Sequence, residues 1–475
     1  MHIRFEGAAS EVTGSRFRVA VTIRKKPRQF LIDCGMFQGG HDANQRNLKP
    51  LPFKAAEIDF VVLTHAHIDH SGLLPRLCAK GFHGPIYCTP ATIDLLEVLL
   101  ADSAHIQAQD RRRAEERQAA GKWRGPLPEP VYSIEDVQQC LEQCQAIGYN
   151  MRTEIAPGVQ LEFIDAGHIL GAASAILDIE EEQEGGLPRN RRLVCSGDIG
   201  TRNRPLMNDP VRVANTDILI METTYGNRLH RGLKETEDEL VEVIAATLAR
   251  GGNVVMPAFA VGRTQEVIAI LIDLIRRQRL PFLTIFVDSP MATAASQITQ
   301  KHLRLLDNES QALFRWAQEH PQSVRVRFIT DVADSKALNQ IRSGAVILAA
   351  SGMCEAGRIV HHLFWNLPRP QSSVVITGFQ AAGTRGRLLV DGAAHVKLLG
   401  RDIPVKASIH TLGGLSAHGD QQDLLWWCKG FAKPPDHVFL THGEASAMHN
   451  FADVLTTELG WKKIIQPQQG ELYPC

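Results

Sequence analysis

The pattern of apolar and polar positions gives the chain three textures. In the first, short apolar runs alternate with turns. Phe17 to Ile23 and Gln29-Phe30-Leu31-Ile32 read as strands on either side of Lys25-Lys26-Pro27, and Phe60-Val61-Val62-Leu63 reads as a buried strand. A helix is expected from about Leu73 to Lys80. The stretch from about Ile93 to Tyr149 reads as helical and charged, divided in two by Pro126, Pro128 and Pro130. Strand patterns return at Leu161 to Asp165, at Arg192 to Cys195 and at Asp217 to Glu222, with Glu180 to Arg192 as a hairpin-type loop. The second texture is regular alternation, beginning with helix Glu235–Arg250, strand Asn253–Pro257, helix Arg263–Arg279 and strand Phe282–Val287. It continues through helix Ala292–Leu306, strand Val326–Thr330, helix Ser335–Ile341, strand Ala345–Ala350, helix Arg358–Leu367 and strand Ser373–Thr377. Such alternation predicts a parallel α/β layer inserted into the first domain. After about residue 404 the first texture resumes, with a helix from Gln421 to Lys429 and a strand at Val438 to Thr441.

Composition narrows the class without naming a function. At 475 residues, two domains are the natural expectation. Apolar residues at 44% and charged residues at 22% are those of a soluble globular protein, and the net charge of −1 advertises no bulk field for nucleic acid. Arg111-Arg112-Arg113-Ala114-Glu115-Glu116-Arg117 mixes signs at helical spacing and reads as a solvated face rather than an RNA-binding arm. The nine cysteines include no C-x-x-C pair, and Cys140 and Cys144 read as one buried helix face. Reduced thiols and a cytoplasmic setting follow. The start, Met1 to Glu6, lacks an apolar signal core, and no window approaches the roughly 18 apolar residues of a membrane span. Aromatic residues make up 6% of the chain, which offers no obvious platform for stacking bases.

The chemistry concentrates at strand ends. Directly after the apolar run at Phe60, Thr64-His65-Ala66-His67-Ile68-Asp69-His70-Ser71-Gly72 packs four metal-competent side chains together, in the kind of loop where open α/β sheets place active sites. Imidazole nitrogen and carboxylate oxygen suit zinc, and so dense a group of ligands makes little sense without a cation. Asp33, before Cys34-Gly35, is either a turn residue or a group that orients a metal-bound histidine. His168, Asp198 and Glu222 each stand at a further strand end, and together the first two would complete a two-metal site. Late in the chain, His418 stands in Ser416-Ala417-His418 and His442 in Thr441-His442-Gly443-Glu444. In the inserted layer, Ser351-Gly352-Met353 and Ala381-Ala382-Gly383-Thr384-Arg385-Gly386-Arg387 are small-residue turns whose amides suit phosphate, although most such turns are simply turns.

This ordered set resembles the metallo-β-lactamase superfamily, and within it the β-CASP nucleic-acid-processing branch, over nearly the whole chain. The family's leading aspartate corresponds to Asp33, its H-x-H-x-D-H signature to His65, His67, Asp69 and His70, and its downstream histidine and bridging aspartate to His168 and Asp198. The branch adds Glu222, His418 and His442, and Pro257-Ala258-Phe259-Ala260-Val261-Gly262-Arg263 looks like the opening of its insert. The fold implied is α/β: an αββα sandwich built from 1–208 and 405–475, with a parallel β-CASP domain at 209–404. Within the branch, a histidine at the last position marks RNA-processing members, so His442 points to RNA. The nearest likeness is to the endonuclease subunit of the cleavage and polyadenylation specificity factor and its bacterial relatives.

The resemblance implies a ribonuclease with two zinc ions per chain. His65, His67, His168 and Asp198 would hold the first, and Asp69, His70, Asp198 and His442 the second, with Asp33 orienting a ligand. A metal-bridged hydroxide would cut single-stranded RNA, endonucleolytically, leaving 5′-phosphate and 3′-hydroxyl ends. Asp69, His418 and Glu222 would form the catalytic group, with His418 protonating the leaving oxygen. The insert would act as a lid, and Ser351, Thr384, Arg385 and Arg387 would touch the RNA backbone, unless the arginines serve only surface solubility. Expected partners are single-stranded RNA and a second copy of the chain or RNA-processing proteins, with no membrane. The competing classes are a hydrolase of small esters or thioesters, a DNA nuclease of the same branch, and a non-catalytic RNA-binding scaffold.

Overall fold

The computed structural model describes residues 1–39, 42–182, 188–381 and 383–475, which fall into two compact units. The first comprises Met1–Arg202, Asp209–Leu229 and His418–Cys475. Its chain builds two seven-stranded sheets. One orders Leu472–Pro474, His2–Phe5, Phe17–Ile23, Lys26–Ile32, Phe60–Val62, Ile86–Cys88 and Cys144–Ala146; the other orders Ile464–Ile465, His437–Thr441, Ile218–Glu222, Arg189–Cys195, Ala173–Glu181, Val159–Asp165 and Thr153–Ala156. Period-two alternation gives each strand an inward set. Ile3, Phe5, Val19, Phe30 and Val62 of the first sheet share one core with Leu161, Phe163, Leu177, Leu193, Ile220 and Phe439 of the second. The outward set of the second sheet, including Val194, Leu219, Met221 and Leu440, packs on Leu424, Trp427, Met448, Phe451 and Leu455 of helices Gln421–Cys428 and Ala445–Leu459. On the first sheet's side, helices Leu74–Ala79 and Pro90–Ala119 both pack on Ile134–Glu142. This is the αββα layering that the family resemblance implies.

Strand direction puts the chemistry on one edge. Val159–Asp165 and Arg189–Cys195 are both antiparallel to Ala173–Glu181 and so run the same way, and Ile218–Glu222 and His437–Thr441 follow in parallel register. Lys26–Ile32 and Phe60–Val62 are likewise parallel in the other sheet. Asp33, the His65–His70 loop, His168, Asp198, Glu222 and His442 therefore all sit at the C-terminal ends of co-directed strands.

The second unit comprises Asn203–Asn208 and His230–Ala417. Its six-stranded sheet is wholly parallel, in the order Val324–Phe328, Leu283–Val287, Ala345–Ala349, Val254–Pro257, Ser373–Ile376, Ser408–Thr411. The four inner strands are buried on both faces, which is why they read as continuous apolar runs, while the outer strands Val324–Phe328 and Ser408–Thr411 keep polar, exposed positions. The alternation extends beyond Ser373–Ile376 through helix Arg385–Val390, the hairpin of His395–Leu398 with Arg401–Pro404, and the edge strand Ser408–Thr411. Residues 405–417 thus pack with the insert, while 209–229 pack with the first unit because Ile218–Glu222 is a central strand there. A helix that the pattern did not separate, Asn308–Glu319, is capped by Asp307, whose carboxylate accepts from the Ser310 amide.

Two local readings change. The helix from Ile134 ends at Glu142, and Cys144 opens a short strand paired with Ile86–Cys88, so Cys140 and Cys144 do not share a helix face. An available sheet edge supplies backbone partners that helical propensity cannot offset. Glu180, Glu181 and Arg189 to Arg192 are residues of two paired antiparallel strands; the rest of that expected loop, 183–187, lies outside the described residues, as does Ala382.

The loops that carry the site are fixed by backbone contacts with no room to spare. Ser15 donates its amide to the Asp69 carbonyl, Cys34 to His70, and Met36 to Ile68. A Cβ on Gly35 would come within 1.6 Å of the Asp69 carbonyl oxygen. Gly35→Ala is therefore expected to destabilise the first unit by about 1–3 kcal/mol, read as a lowered midpoint in calorimetry. The control is Gly125→Ala, where the nearest atoms stand at 3.7 Å or more, and it should leave the midpoint unchanged.

Candidate metal centre

Six side chains of the first unit converge around one carboxylate, that of Asp198. Asp198 reaches the loop after Arg189–Cys195 and is buried at 2% exposure. Its Oδ2 lies 3.4 Å from His65 Nε2 and 3.6 Å from His168 Nε2, and its Oδ1 lies 3.3 Å from His70 Nε2 and 3.5 Å from His442 Nδ1. On the first side, His67 Nδ1 stands 3.2 Å from both His65 Nε2 and His168 Nε2. On the other, His70 Nε2 is 3.2 Å from His442 Nε2, which is 3.4 Å from Asp69 Oδ2. Ligand atoms held 2.0–2.1 Å from a tetrahedral ion lie about 3.3 Å from one another. The two sets, His65, His67, His168, Asp198 and Asp69, His70, His442, have that spacing and those donors.

Electrostatics bear on how a cation would be held. Asp198 Oδ1 is buried and accepts no hydrogen bond, a condition that costs free energy unless a positive charge satisfies it. Burial and then the neighbouring His70 hold His65 well below the usual imidazole range, neutral and able to donate its lone pair. Burial opposes charge on Asp198, yet His442, His70 and His65 together hold its carboxyl well below the carboxylate range. Burial opposes charge on His70 too, but Asp198 and Asp33 raise its pKa well above the imidazole range, so a divalent ion would have to displace that proton to bind there. The residues fit two ions.

Around them lies a ring of fixing contacts. Asp33 accepts from His70 Nδ1 at 2.7 Å, from the Thr64 amide at 2.8 Å and from Thr64 Oγ1 at 3.0 Å. It therefore orients an imidazole and is not merely a turn residue. Thr64 Oγ1 lies 3.1 Å from His65 Nδ1, and Thr224 Oγ1 lies 3.2 Å from His442 Nδ1. Gly200 lets two loops meet, since a Cβ there would come within 1.9 Å of the Gly167 carbonyl, one residue before His168. Sequence reasoning missed Thr64, Thr224, Gly35 and Gly200. A threonine flanking the His cluster, and another two residues past Glu222, were the available signals.

His418 and Glu222 form a pair beside this centre. Glu222 Oε1 accepts from the Ile199 amide at 2.7 Å and lies 3.2 Å from His418 Nδ1, while Oε2 accepts from the Thr224 amide. The carboxylate is thus locked before it meets the imidazole. Burial disfavours a charged His418, but Glu222 and then Asp198, 3.8 Å away, raise its pKa to about 9. His418 keeps 21% of its side chain exposed, so a substrate can reach it.

The four residues expected at the RNA backbone belong to the second unit. Ser351 Oγ accepts from the Ala356 amide, and Thr384 Oγ1 caps helix Arg385–Val390 through the Arg387 amide. Arg385 donates to the carbonyls of Lys397 and Glu355 and pairs with the Glu355 carboxylate. Arg387 pairs with Asp391 at 2.9 Å one turn along its helix. Both guanidinium groups are thus engaged within their own unit.

If Asp33 fixes His70, Asp33→Ala should weaken metal binding about 10–100-fold in competition with a chelator. Binding unchanged in that titration would mean that the backbone alone holds His70.

Known proteins carry the same pattern. A β-lactamase superfamily domain matches residues 28–249, a Beta-Casp domain 264–389, and a Zn-dependent metallo-hydrolase RNA specificity domain 402–467. Ribonuclease TTHA0252 of Thermus thermophilus is 36% identical over 92% of this chain and 92% of its own. The transcription termination factor FttA of Methanosarcina mazei is 31% identical over 91% of this chain, which spans 66% of that relative's length. An RNase J-like protein of Methanocaldococcus jannaschii is 26% identical over 99% of both chains. With this similarity joined to a two-cluster His/Asp centre, the chain belongs to the β-CASP branch of the metallo-β-lactamase superfamily and is a metal-dependent hydrolytic nuclease.

Proposed function

We propose that the substrate is single-stranded RNA, cut endonucleolytically with two zinc ions bound, in RNA processing or decay in the cytoplasm. The observation that carries this reading is Asp198: it stands between two histidine clusters with a bare oxygen, beside a histidine locked to a glutamate. His65, His67, His168 and Asp198 would hold one ion, and Asp69, His70, His442 and Asp198 the other. When bound, such a pair lowers the pKa of a shared water and offsets the charge that develops on a displaced phosphate.

The chain's own residues supply the remainder. Asp33 keeps the His70 ring in one tautomer by accepting from Nδ1, which leaves Nε2 facing the centre. His418, protonated and held through Nδ1 by Glu222, presents its other nitrogen as the donor to the leaving 3′ oxygen. Water rather than the ribose 2′-hydroxyl is the nucleophile, so the products carry 5′-phosphate and 3′-hydroxyl ends. The ribonuclease name of the Thermus relative supports RNA as the substrate. The nine cysteines, all free thiols, fit a reducing cytoplasm.

The test uses internally labelled single-stranded RNA and DNA of matched sequence, with zinc counted by elemental analysis. About two zinc ions per chain and internal RNA fragments with 5′-phosphate ends are expected. His418→Ala should keep its zinc while losing about 10²–10⁴ in rate, because it removes an acid and no ligand. His67→Ala should lose zinc and activity together. Equal cutting of DNA, or turnover of small esters without RNA cutting, would overturn the substrate assignment.

A further inference from the structure

Several large apolar side chains of the second unit are exposed, Phe282, Trp365 and Leu388 among them, but two phenylalanines stand out because they leave adjacent strands at the same end of its sheet. Phe259 is 49% exposed and Phe379 is 62% exposed. They follow neighbouring strands, Val254–Pro257 and Ser373–Ile376, which run parallel in register, so both leave the sheet at its C-terminal end. Thr377 Oγ1 donates to the Pro257 carbonyl at 2.9 Å and ties the two turns together. Gly352 lies against them both. A Cβ there would touch the Phe259 ring at 3.1 Å, and its carbonyl accepts from Gln380 Nε2 at 3.0 Å. The same buried amide also donates to the carbonyls of Gly378 and Phe379. The Phe259 carbonyl in turn accepts from both the amide and the hydroxyl of Thr264. Exposed rings on turns so firmly pinned have little freedom to fold back into the core.

We propose that Phe259 and Phe379 form a stacking platform for the bases of single-stranded RNA. This deepens the substrate assignment above and rests on it. The surroundings favour bases over a protein partner. A protein-docking patch needs contiguous apolar surface, whereas in the chain each ring is flanked by small or polar residues, Ala258 and Ala260 beside Phe259 and Gly378 and Gln380 beside Phe379, so neither turn adds a second large apolar side chain. At Gly378 and Gly383 an added Cβ would meet nothing within 4 Å, so a sugar-phosphate chain can approach the backbone there. Every base has a π-face, so two aromatic rings can hold RNA without reading its sequence. Neither guanidinium nearby, Arg385 or Arg387, is needed to hold it, which accords with their engagement by Glu355 and Asp391.

The test is stopped-flow fluorescence of a single-stranded RNA decamer carrying 2-aminopurine, mixed with the full zinc-loaded chain and read before turnover. Stacking quenches the probe. Phe259→Ala and Phe379→Ala should each raise Kd about 10-fold and lose quenching, Phe→Trp should restore both, and Phe→Leu should not. Thermal midpoints should be unchanged, because both rings are exposed. An abasic nucleotide at the stacked position should remove the penalty of the alanine variant, which a merely structural role would not do. Wild-type protein that quenches the probe yet makes no product would defeat the ribonuclease assignment and keep the platform. Wild-type cutting, with Kd and quenching unchanged in both alanine variants, would defeat the platform alone. Altered sedimentation of those variants without altered RNA binding would assign the rings to contact between copies of the chain, and would likewise overturn it.

Discussion

A carboxylate surrounded by five imidazoles within 3.8 Å is the constraint on which the first unit depends. Such a group is not a stabilising core. Burial disfavours charge on any member, and mutual repulsion among the rings forbids protonating them all. The arrangement is sustained because rigid strands deliver each side chain and backbone bonds fix each loop, so the cost is met by two cores of Ile, Leu, Val and Phe on either face of the second sheet. The histidines need no hydrophobic company of their own. A cation in each cluster would convert the least stable part of the fold into one of its firmest, which is how metal affinity becomes folding free energy.

Much of this was legible in the chain because the chemistry is local to strand ends. The apolar run Phe60-Val61-Val62-Leu63 predicted a buried strand, and the histidines after it could only fall in the loop at its C-terminal end. Asp198 and Glu222 were recognisable for the same reason. Asp33 was ambiguous in sequence, since an aspartate before Cys34-Gly35 suits a turn as well as an imidazole; only the 2.7 Å contact with His70 decides. Thr64 and Thr224 left only a weak signal, their place beside the His cluster and Glu222, because a hydroxyl is too common to show by itself that it will meet a ring nitrogen. Gly35 and Gly200 were hidden for another reason: their role is the absence of a Cβ against a distant carbonyl, and distance in space leaves no mark in sequence.

In the second unit, alternation predicted the parallel layer but not its limits. The edge strand Ser408–Thr411 is short and polar, so its pairing with Ser373–Ile376 is decided by backbone partners rather than by pattern. Composition is a coarse guide of the same kind. An aromatic fraction of 6% is an average over the chain, and it leaves room for the two exposed rings on adjacent turns from which the proposed platform is argued. The expected arginines lie in a glycine-rich turn and pair with Glu355 and Asp391, contacts that pattern alone does not foretell.

The order in which the chain contributes to the first unit has a consequence for its synthesis. His65, His67, His70, His168 and Asp198 precede the inserted segment His230–Ala417, whereas His418 is the first residue to return and His442 comes later still. The first sheet closes only when Leu472–Pro474 pairs with His2–Phe5. During translation, a ribosome-bound chain can assemble one histidine cluster but has neither the fourth member of the other nor the histidine beside Glu222. The two clusters are therefore completed at different stages of synthesis, the first before the inserted segment and the second only after it.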